Sequence, residues 1–405
     1  MSNLHILLVA DGRSAITRRW LQGLLTIGYR VTVVSTFPCQ PLPGVEKFIV
    51  LPVAFGAFAS SGSGGPPNAP GRGLPRSVSG LRLVMLKGRY LLGPLTLPYY
   101  GAQLRKIISQ VQPDIVHALR IPYEGMLAAF TPPSTPLIVS IWGNDLTLHA
   151  SGSASMGSLT AKVLARADGL IADAQRDIRL GREWGFAAEK PALVVPGNGG
   201  IDLMEIERIR ANPFDLFANT IPAGMPLVVN PRGIRPAYVR NDVFFQAIPL
   251  VLERHPEVTF VCPAMAGQED ALKWVRRLKL QYKVRLLHYL PQAHLWDLFV
   301  RAEISVSISQ HDGMPNTLLE AMACNCFPVV GDLESIREWI TPGVNGLLVE
   351  PTRAQSLADA ILVALEDPEL RRAAAAENSR LIRERAEVGV VRRKVAAFYD
   401  QFKDG

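Results

Sequence analysis

Cysteine is scarce in this sequence, with four residues in 405 and no zinc-type pairing among them. Structural zinc sites repeat closely spaced cysteine or histidine pairs, and disulfide-bonded domains are far richer in cysteine. The sequence therefore argues against both, and a reduced, cytoplasmic setting fits better. The four residues are Cys39, Cys262, Cys324 and Cys326.

Long hydrophobic runs are also missing. The chain opens MSNLHILLVADG, an apolar stretch that stops at Asp11 and is too short for an export signal or a membrane span. The longest uncharged windows are 48–71, whose second half is rich in Gly, Ser and Pro, and 125–144, which contains three prolines. We therefore expect neither window to cross a bilayer.

Several widespread catalytic motifs are absent. The sequence has no GxxxxGK[ST] phosphate loop, no HExxH helix and no GxSxG nucleophile elbow, and no DxD element stands out. These absences argue against many NTPases, metalloproteases and hydrolases. A net charge of +7 is compatible with nucleic-acid binding. The basic segment nevertheless lacks interleaved aromatic residues and a known module, so we expect no nucleic-acid partner.

Negative charge is missing from one long window. Residues 47–113 contain no Asp or Glu and eight cations, and residues 1–200 hold 19 Lys and Arg against 10 Asp and Glu. Within this window, 61–80 contains 14 Gly, Pro or Ser, which predicts a mobile loop at about 56–80. The Leu-rich stretch 81–100 then mixes cations with apolar residues. This composition is typical of a segment on an anionic membrane surface, and a solvated basic connector is the equally weighted alternative.

What the chain does contain is an alternation of short apolar runs with helical stretches. A length of 405 residues is too great for one ordinary core. The pattern predicts two doubly wound α/β domains of Rossmann-like type, at 1–205 and 206–387, and the last helix, about 388–405, is a candidate to pack on the first. The predicted strands are 4–10, 30–35, 114–119, 136–141, 169–172, 192–196, 226–230, 258–263, 284–287, 303–308, 327–330 and 345–349.

The most informative stretch is 303–350. A strand ends near Ile308, a polar turn follows, and a helix begins after Pro315, with Asn316 or Thr317 as its predicted cap. The amino end of this helix is then a place for a phosphate. Asp312 and Glu320 would flank that place and could accept hydrogen bonds from sugar hydroxyls. The alternative is a purely local role for both carboxylates.

The run DGMPNTLLEAMACNCFPVV within this stretch resembles the donor-site motif of the retaining glycosyltransferase family 4 (glycosyl transferases group 1). Members of that family have two Rossmann-like domains facing a cleft, the arrangement called GT-B. Further resemblances cover most of the chain. They are HILLVADGRSAITRRW, QPDIVHAL, SIWGND, VVPGNGGID and VVNPRGIRPAYVRNDVFFQAI.

The resemblance implies roles for individual residues. Asp312 would hold hydroxyls of the donor hexose and Glu320 those of the ribose, while backbone amides cradle the sugar and the pyrophosphate. Arg232 would neutralise the leaving diphosphate together with a second cation, for which Arg240 is the first candidate and Arg235 the second. The amides belong to Gly313, Met314, Asn316 and Thr317; Gly12 would approach the phosphates, and Gly143, Asn144 and Asp145 would line the acceptor side.

The sequence departs from the family pattern at several positions. Asp312 replaces the usual Glu, Asn325 the usual Gly, and Leu119 a sugar-contacting His, so that His117 is better interpreted as a packing residue. Asn tolerates the left-handed backbone that Gly adopts at a helix end.

The resulting hypothesis is a metal-independent, cofactor-free transfer of a hexose from a UDP- or GDP-linked sugar to a lipid-linked or glycan acceptor. Guanidinium groups and a helix amino end would stabilise the leaving diphosphate in place of a metal. A nucleotide-sugar epimerase or phosphorylase, or a non-catalytic binding subunit, remains the alternative, because fold alone does not fix function.

Overall fold

The computed structural model describes residues 4–58, 89, 91–214, 221, 224–235 and 238–403. The chain divides into two compact units. The first comprises residues 1–199 and 391–405, and the second comprises residues 200–390. The boundary lies six residues before the one inferred from the sequence. Most of the predicted loop at 56–80, and Arg72, Arg76, Arg82 and Lys87 of the basic window, lie outside the described residues.

The first unit is built on a seven-stranded sheet in the order β3-β2-β1-β4-β5-β6-β7, with every pairing parallel. Its strands are β1 His5–Ala10, β2 Arg30–Ser35, β3 Lys47–Val50, β4 Ile115–Ala118, β5 Leu137–Ile141, β6 Gly169–Ala172 and β7 Ala192–Val194. Its helices of eight or more residues among those described are α1 Ala15–Ile27, α2 Leu97–Val111, α3 Ala154–Arg166 and α4 Gln175–Glu183.

The second unit contains a six-stranded parallel sheet in the order β10-β9-β8-β11-β12-β13. Its strands are β8 Leu227–Val229, β9 Thr259–Cys262, β10 Val284–Leu286, β11 Ile304–Ser307, β12 Phe327–Gly331 and β13 Leu347–Val349. The longer helices that follow in chain order are α5 Leu203–Ala211, α6 Asn241–Leu252, α7 Glu269–Arg277, α8 Gln292–Arg301, α9 Asn316–Ala323, α10 Ala354–Glu366, α11 Pro368–Arg385 and α12 Val388–Asp400. The predicted pair of doubly wound parallel sheets is confirmed.

Each sheet is covered on both faces, because successive strand residues point to opposite sides. In β1, Leu7 and Val9 belong to one buried cluster, whereas Ile6 and Leu8 belong to another on the opposite face. All four side chains have no exposed surface. Strands buried on both faces read as continuous apolar runs, which explains why the sequence revealed them.

The last helix, α12, packs on the first unit. Val391, Val395, Phe398 and Tyr399 are buried there with residues of β1, β2 and α1. The hydroxyl of Tyr399 lies 2.6 Å from Nδ1 of His117 in β4, and Nε2 of His117 lies 2.9 Å from Oγ of Ser140. Burial lowers the pKa of His117 to about 3, so the ring is neutral at neutral pH. His117 is therefore a packing residue, as predicted.

Candidate active site

The strand order reverses between β8 and β11 in the second unit. In an open parallel sheet, ligands bind beyond the carboxyl ends of the strands at such a reversal. The segments that leave the two strands there are 230–235 after β8 and 308–315 after β11. A short antiparallel bridge between Val239 and Ser309 joins the segment before α6 to the one after β11. The topology alone therefore points to these loops.

A buried ion pair connects the two loops. Nη2 of Arg232 lies 2.5 Å from Oδ2 of Asp312, and their side chains are only 7% and 15% exposed. Oγ of Ser309 donates to the same carboxylate oxygen at 3.3 Å. The Nε atom of Arg232 is buried and has no partner among the described residues. The structure thus brings together Arg232 and Asp312, which are 80 residues apart in the chain.

Ser335 stabilises the turn between β11 and α9. Its hydroxyl donates to the backbone carbonyls of Asp312 and Gly313, both at 3.1 Å. Pro315 occupies the N-cap position of α9, and its side chain offers no cap. The prediction that Asn316 or Thr317 caps the helix is therefore wrong. Both are helical residues, and Pro315 makes no capping hydrogen bond with its side chain. The amino end of a helix favours an anion. Gly313 and Met314 are buried just before it.

Glu320 lies one turn into α9 and is 3% exposed. Its Oε1 accepts a hydrogen bond of 3.0 Å from Nε2 of Gln292, the first residue of α8. Glu320 therefore contacts a neighbouring helix. Sequence reasoning missed Gln292, because the spacing of 28 residues carries no recognisable pattern.

The candidate second cations are engaged elsewhere. Arg240 makes a two-pronged contact with Asp242, at 2.8 Å from Nε and 2.6 Å from Nη2, and this bonding lowers the pKa of Asp242. Arg235 is exposed, and its Nη1 lies 3.4 Å from the hydroxyl of Tyr238. Arg235 also lines a cavity of about 340 Å³ with Asp242, Lys273 and Trp274. Both residues remain candidates.

In the first unit the strand order reverses between β1 and β4, and Gly12 follows β1. Its amide donates to Oγ of Ser35 at 3.1 Å. A Cβ atom at this position would come within 2.6 Å of Sγ of Cys39 and 3.0 Å of Oγ of Ser35. Close packing of the loop therefore requires glycine here.

Asp145 is fully buried after β5. Its Oδ1 accepts from Nη2 of Arg120 at 2.8 Å, and its Oδ2 accepts from the amides of Ile121 and Trp142 at 2.9 and 3.2 Å. The carboxylate thus ties the end of β5 to the end of β4 and orients Arg120. The Gly143 carbonyl accepts from Arg176 at 3.1 Å. Oδ1 of Asn144 is buried without a partner among the described residues.

Sequence reasoning missed other polar groups at this edge of the sheet. Glu124 is 3% exposed and accepts from the hydroxyl of Thr36 at 2.6 Å, and burial raises its pKa. Burial, followed by the charge of Arg120, lowers the pKa of His149 to about 4. Only Arg120 was indicated by the sequence, because it follows directly after a predicted strand that ends near the reversal of strand order.

Two departures from the family pattern have structural outcomes. Asn325 adopts φ of 64°, the left-handed conformation for which the family uses Gly. Leu119 is 2% exposed and belongs to the same buried cluster as α12. The position therefore contributes to packing in this chain.

Comparisons with known proteins agree with this architecture. Residues 11–197 match the model of the glycosyl transferase 4-like domain, and residues 219–381 match that of the glycosyl transferases group 1. The Anabaena protein Alr3699/HepE, solved with UDP-glucose, shares the fold with a TM-score of 0.67 at 16% identity, covering 98% of this chain and 100% of that one. The chain therefore belongs to the glycosyl transferases of group 1, with the 4-like domain at its amino-terminal side.

Two curated relatives are similar over part of their length. An N-acetylgalactosamine-N,N'-diacetylbacillosaminyl-diphospho-undecaprenol 4-alpha-N-acetylgalactosaminyltransferase of Campylobacter jejuni is 31% identical over 107 residues, which cover 26% of this chain and 29% of that protein. A GDP-mannose:cellobiosyl-diphosphopolyprenol alpha-mannosyltransferase of Xanthomonas campestris is 27% identical over 122 residues, covering 29% and 31%. The chain thus matches less than a third of the length of either relative.

Proposed function

We propose that the protein is a retaining, metal-independent glycosyltransferase that moves a hexose from a UDP- or GDP-linked sugar to a lipid-linked or glycan acceptor. The observation that carries this proposal is the Arg232–Asp312 pair beside the amino end of α9, where Pro315 offers no side-chain cap. A guanidinium and helix amides suit a diphosphate, and a neighbouring carboxylate suits sugar hydroxyls.

The chemistry requires stabilisation of a leaving group. Breaking the bond between the sugar and the diphosphate leaves a nucleoside diphosphate with growing negative charge, and fixed positive groups lower that barrier. Arg232 is held in position by Asp312 before any substrate binds, so it needs little reorganisation. Asp312 would orient both the guanidinium and the donor hexose, and Glu320 would bind the ribose.

The acceptor side of the proposal rests on the first unit and on the relatives. The names of both relatives describe diphospho-linked polyprenol acceptors. Gly12, Gly143, Asn144 and Asp145 lie in the loops beyond the carboxyl ends of β1 and β5, where an acceptor would bind. Asp145 would act through Arg120, since its own carboxylate oxygens are engaged.

Replacing Glu320 by alanine tests the donor site. The variant should bind UDP or GDP at least about tenfold more weakly, the scale of one hydrogen bond to a charged group. Isothermal titration calorimetry measures this, with Glu334→Ala on the same unit as a control expected to bind normally. An unchanged affinity for both nucleotides in Glu320→Ala would remove Glu320 from the site.

Treatment with EDTA tests the role of guanidinium groups in place of a metal. Transfer activity should persist within about twofold after exhaustive chelation, because Arg232 and the α9 amides supply the positive charge. The measurement is product formation before and after addition of Mg²⁺ or Mn²⁺. A requirement for either ion would contradict the proposed mechanism.

We further propose a cytoplasmic location with attachment to the inner face of the cell membrane. None of the described helices is long and apolar enough to cross a bilayer. Lys47, Arg105 and Lys106 of the acid-free window are exposed on the first unit. Each cation near an anionic leaflet adds about 1 kcal/mol of binding free energy, so a few suffice for reversible attachment.

Liposome flotation tests the attachment. The protein should float with vesicles that contain phosphatidylglycerol, remain behind with pure phosphatidylcholine, and dissociate as salt rises from about 0.05 to 0.5 M. An Arg105→Gln/Lys106→Gln variant should float less, and Arg276→Gln on the second unit is the matched control. If the parent protein ignores anionic vesicles at low salt, the proposed membrane attachment is wrong.

A further inference from the structure

One guanidinium of the first unit has aromatic partners and no carboxylate partner among the described residues. The guanidinium carbon of Arg89 lies 4.8 Å from the ring centroid of Phe37 and 4.5 Å from that of Tyr123. Its Nε atom is buried, with no hydrogen-bond partner in the part of the chain that the structure describes. Stacking on two rings orders the planar group and leaves its edge for a ligand.

Arg89 lies at the reversal of strand order. Tyr123, just beyond β4, donates its hydroxyl to the carbonyl of Arg89 at 2.7 Å. Its backbone has φ of 67° and ψ of −49°, a strained conformation for a residue with a large side chain. Strain of this kind persists only where the surrounding contacts hold the backbone in place. The same contacts hold the Tyr123 ring on which Arg89 stacks.

The neighbouring guanidinium groups are neutralised locally. Arg13 shares the Phe37 ring, at 3.7 Å from its centroid, and pairs with Asp11 at 3.0 Å. Arg120 pairs with Asp145 at 2.8 Å. Glu124, the remaining carboxyl group nearby, is hydrogen-bonded to Thr36. Of Arg13, Arg89 and Arg120, only Arg89 has no carboxylate partner in the part of the chain that the structure describes.

An apolar ridge begins two residues after Arg89. It consists of Leu91, Leu92, Leu95 and Tyr99, which are 68%, 53%, 74% and 67% exposed. Residues four apart share a face of a helical segment, and the opposite face, with Gly93 and Leu97, is buried. The side chain of Thr96 anchors the segment by accepting from the amide of Ala54 at 3.0 Å. The ridge is thus a fixed feature of the surface.

We propose that Arg89 and the apolar ridge together recognise a membrane-borne acceptor, with a phosphate group of that acceptor bound by Arg89 and its hydrocarbon surroundings contacted by the ridge. This inference rests on the proposed function, since it names the acceptor class of that transfer. A soluble anionic glycan would use the guanidinium and gain nothing from four exposed apolar side chains. A lipid that ends in a diphosphate, which carries more charge than the phosphodiester of an ordinary phospholipid, uses both.

Vesicle co-sedimentation with a defined probe tests the inference. The probe is phosphatidylcholine vesicles that contain a polyprenyl diphosphate, compared with vesicles that contain phosphatidylglycerol at equal charge. Arg89→Met should weaken binding to the diphosphate vesicles at least about tenfold, the scale of a charged hydrogen bond, and barely affect the other vesicles. Arg89→Lys, which retains the charge without the planar fork, should lie between parent and Arg89→Met.

Matched variants separate the ridge from general electrostatics. Leu91→Ser/Leu92→Ser/Leu95→Ser should weaken binding to both kinds of vesicle about tenfold or more, whereas Met204→Ser, at an exposed apolar residue of the second unit, should change neither. Arg105→Met should reduce binding to both kinds equally. Equal losses for Arg89→Met and Arg105→Met on the diphosphate vesicles would overturn the role of Arg89.

Two further outcomes are decisive. If soluble pyrophosphate competes fully at equimolar concentration and the ridge variant binds normally, the ligand is a free phosphate compound and the membrane-borne acceptor is wrong. UDP and GDP binding is measured on the same variants and should be unchanged. A parent protein that binds diphosphate vesicles but neither nucleotide would support this inference and overturn the proposed transfer function.

Discussion

Replacing Arg232 by alanine is expected to lower kcat by about two to three orders of magnitude, the effect of removing one preorganised electrostatic group from a transition state. The guanidinium is 7% exposed and bonded to Asp312, so water replaces it poorly. The loss should appear mainly in kcat, because the charge on the leaving diphosphate grows as the bond breaks. Steady-state kinetics with the UDP- or GDP-linked hexose that supports turnover measures the effect.

A variant that retains the positive charge and a control variant test this prediction. Alanine at Arg232 removes the guanidinium that pairs with the mostly buried carboxylate of Asp312, so Arg232→Lys serves as the variant that retains a charge. Arg276→Ala, at an exposed arginine of α7, is the matched control and should keep full activity. A kcat within about threefold of the parent in Arg232→Ala would exclude Arg232 from the chemical step. The larger loss between Arg240→Ala and Arg235→Ala would identify the second cation.

The fold was largely predictable because most strands are buried on both faces. Such strands appear as apolar runs, and twelve of the thirteen were found in that way. The exception is β3, Lys47–Val50, at the edge of the first sheet. Its residues are exposed or half-buried, so its sequence lacks the uniform apolar character of the others. Propensity alone does not reveal a short strand that is completed by its neighbour.

The site was predictable where its chemistry is local in sequence. Asp312, Gly313 and Glu320 lie within one strand–turn–helix segment, and the motif identified that segment. The cap was mispredicted, because Asn and Thr favour the N-cap position on average, and Pro315 occupies it here. The pairing of Arg232 with Asp312 needed the order of strands in the sheet, which sequence patterns alone do not give.

The contacts that the sequence did not predict join residues that are far apart in the chain. Gln292 meets Glu320 only because α8 and α9 pack together, and Arg120 meets Asp145 only because β4 and β5 are neighbours. Arg89 was noticed as one cation among eight, and its stacking on Phe37 and Tyr123 gives it a distinct role. The residue types indicated which chemistry a site could perform, and the topology determined which residues come together in that site.

Replacing Tyr399 by alanine is expected to destabilise the first unit by about 3–5 kcal/mol, the range for deleting a large buried aromatic side chain. Tyr399 has no exposed surface, and its ring meets those of Tyr29 and His117 edge to face at 5.9 and 5.8 Å. Its hydroxyl is also within hydrogen-bond distance of Nδ1 of His117. Tyr399 therefore helps to attach α12 to the first unit, together with the buried Val391, Val395 and Phe398.

Tyr399→Phe separates the hydroxyl from the ring. This variant keeps the packing but leaves Nδ1 of His117 and Nε1 of Trp20 without that partner, at a cost of about 1–3 kcal/mol. Tyr99→Ala is the matched control, because Tyr99 is 67% exposed and its loss should change stability by no more than about 0.5 kcal/mol. Urea unfolding followed by fluorescence reports both units, because each contains three Trp, whereas the loss of the proposed UDP or GDP binding reports the second unit alone. If Tyr399→Ala unfolds at the same urea concentration as Tyr99→Ala, α12 contributes nothing to the stability of the first unit. If Tyr399→Phe costs as much as Tyr399→Ala, the hydrogen bonds of the hydroxyl with His117 and Trp20 are the main attachment and the ring packing is secondary.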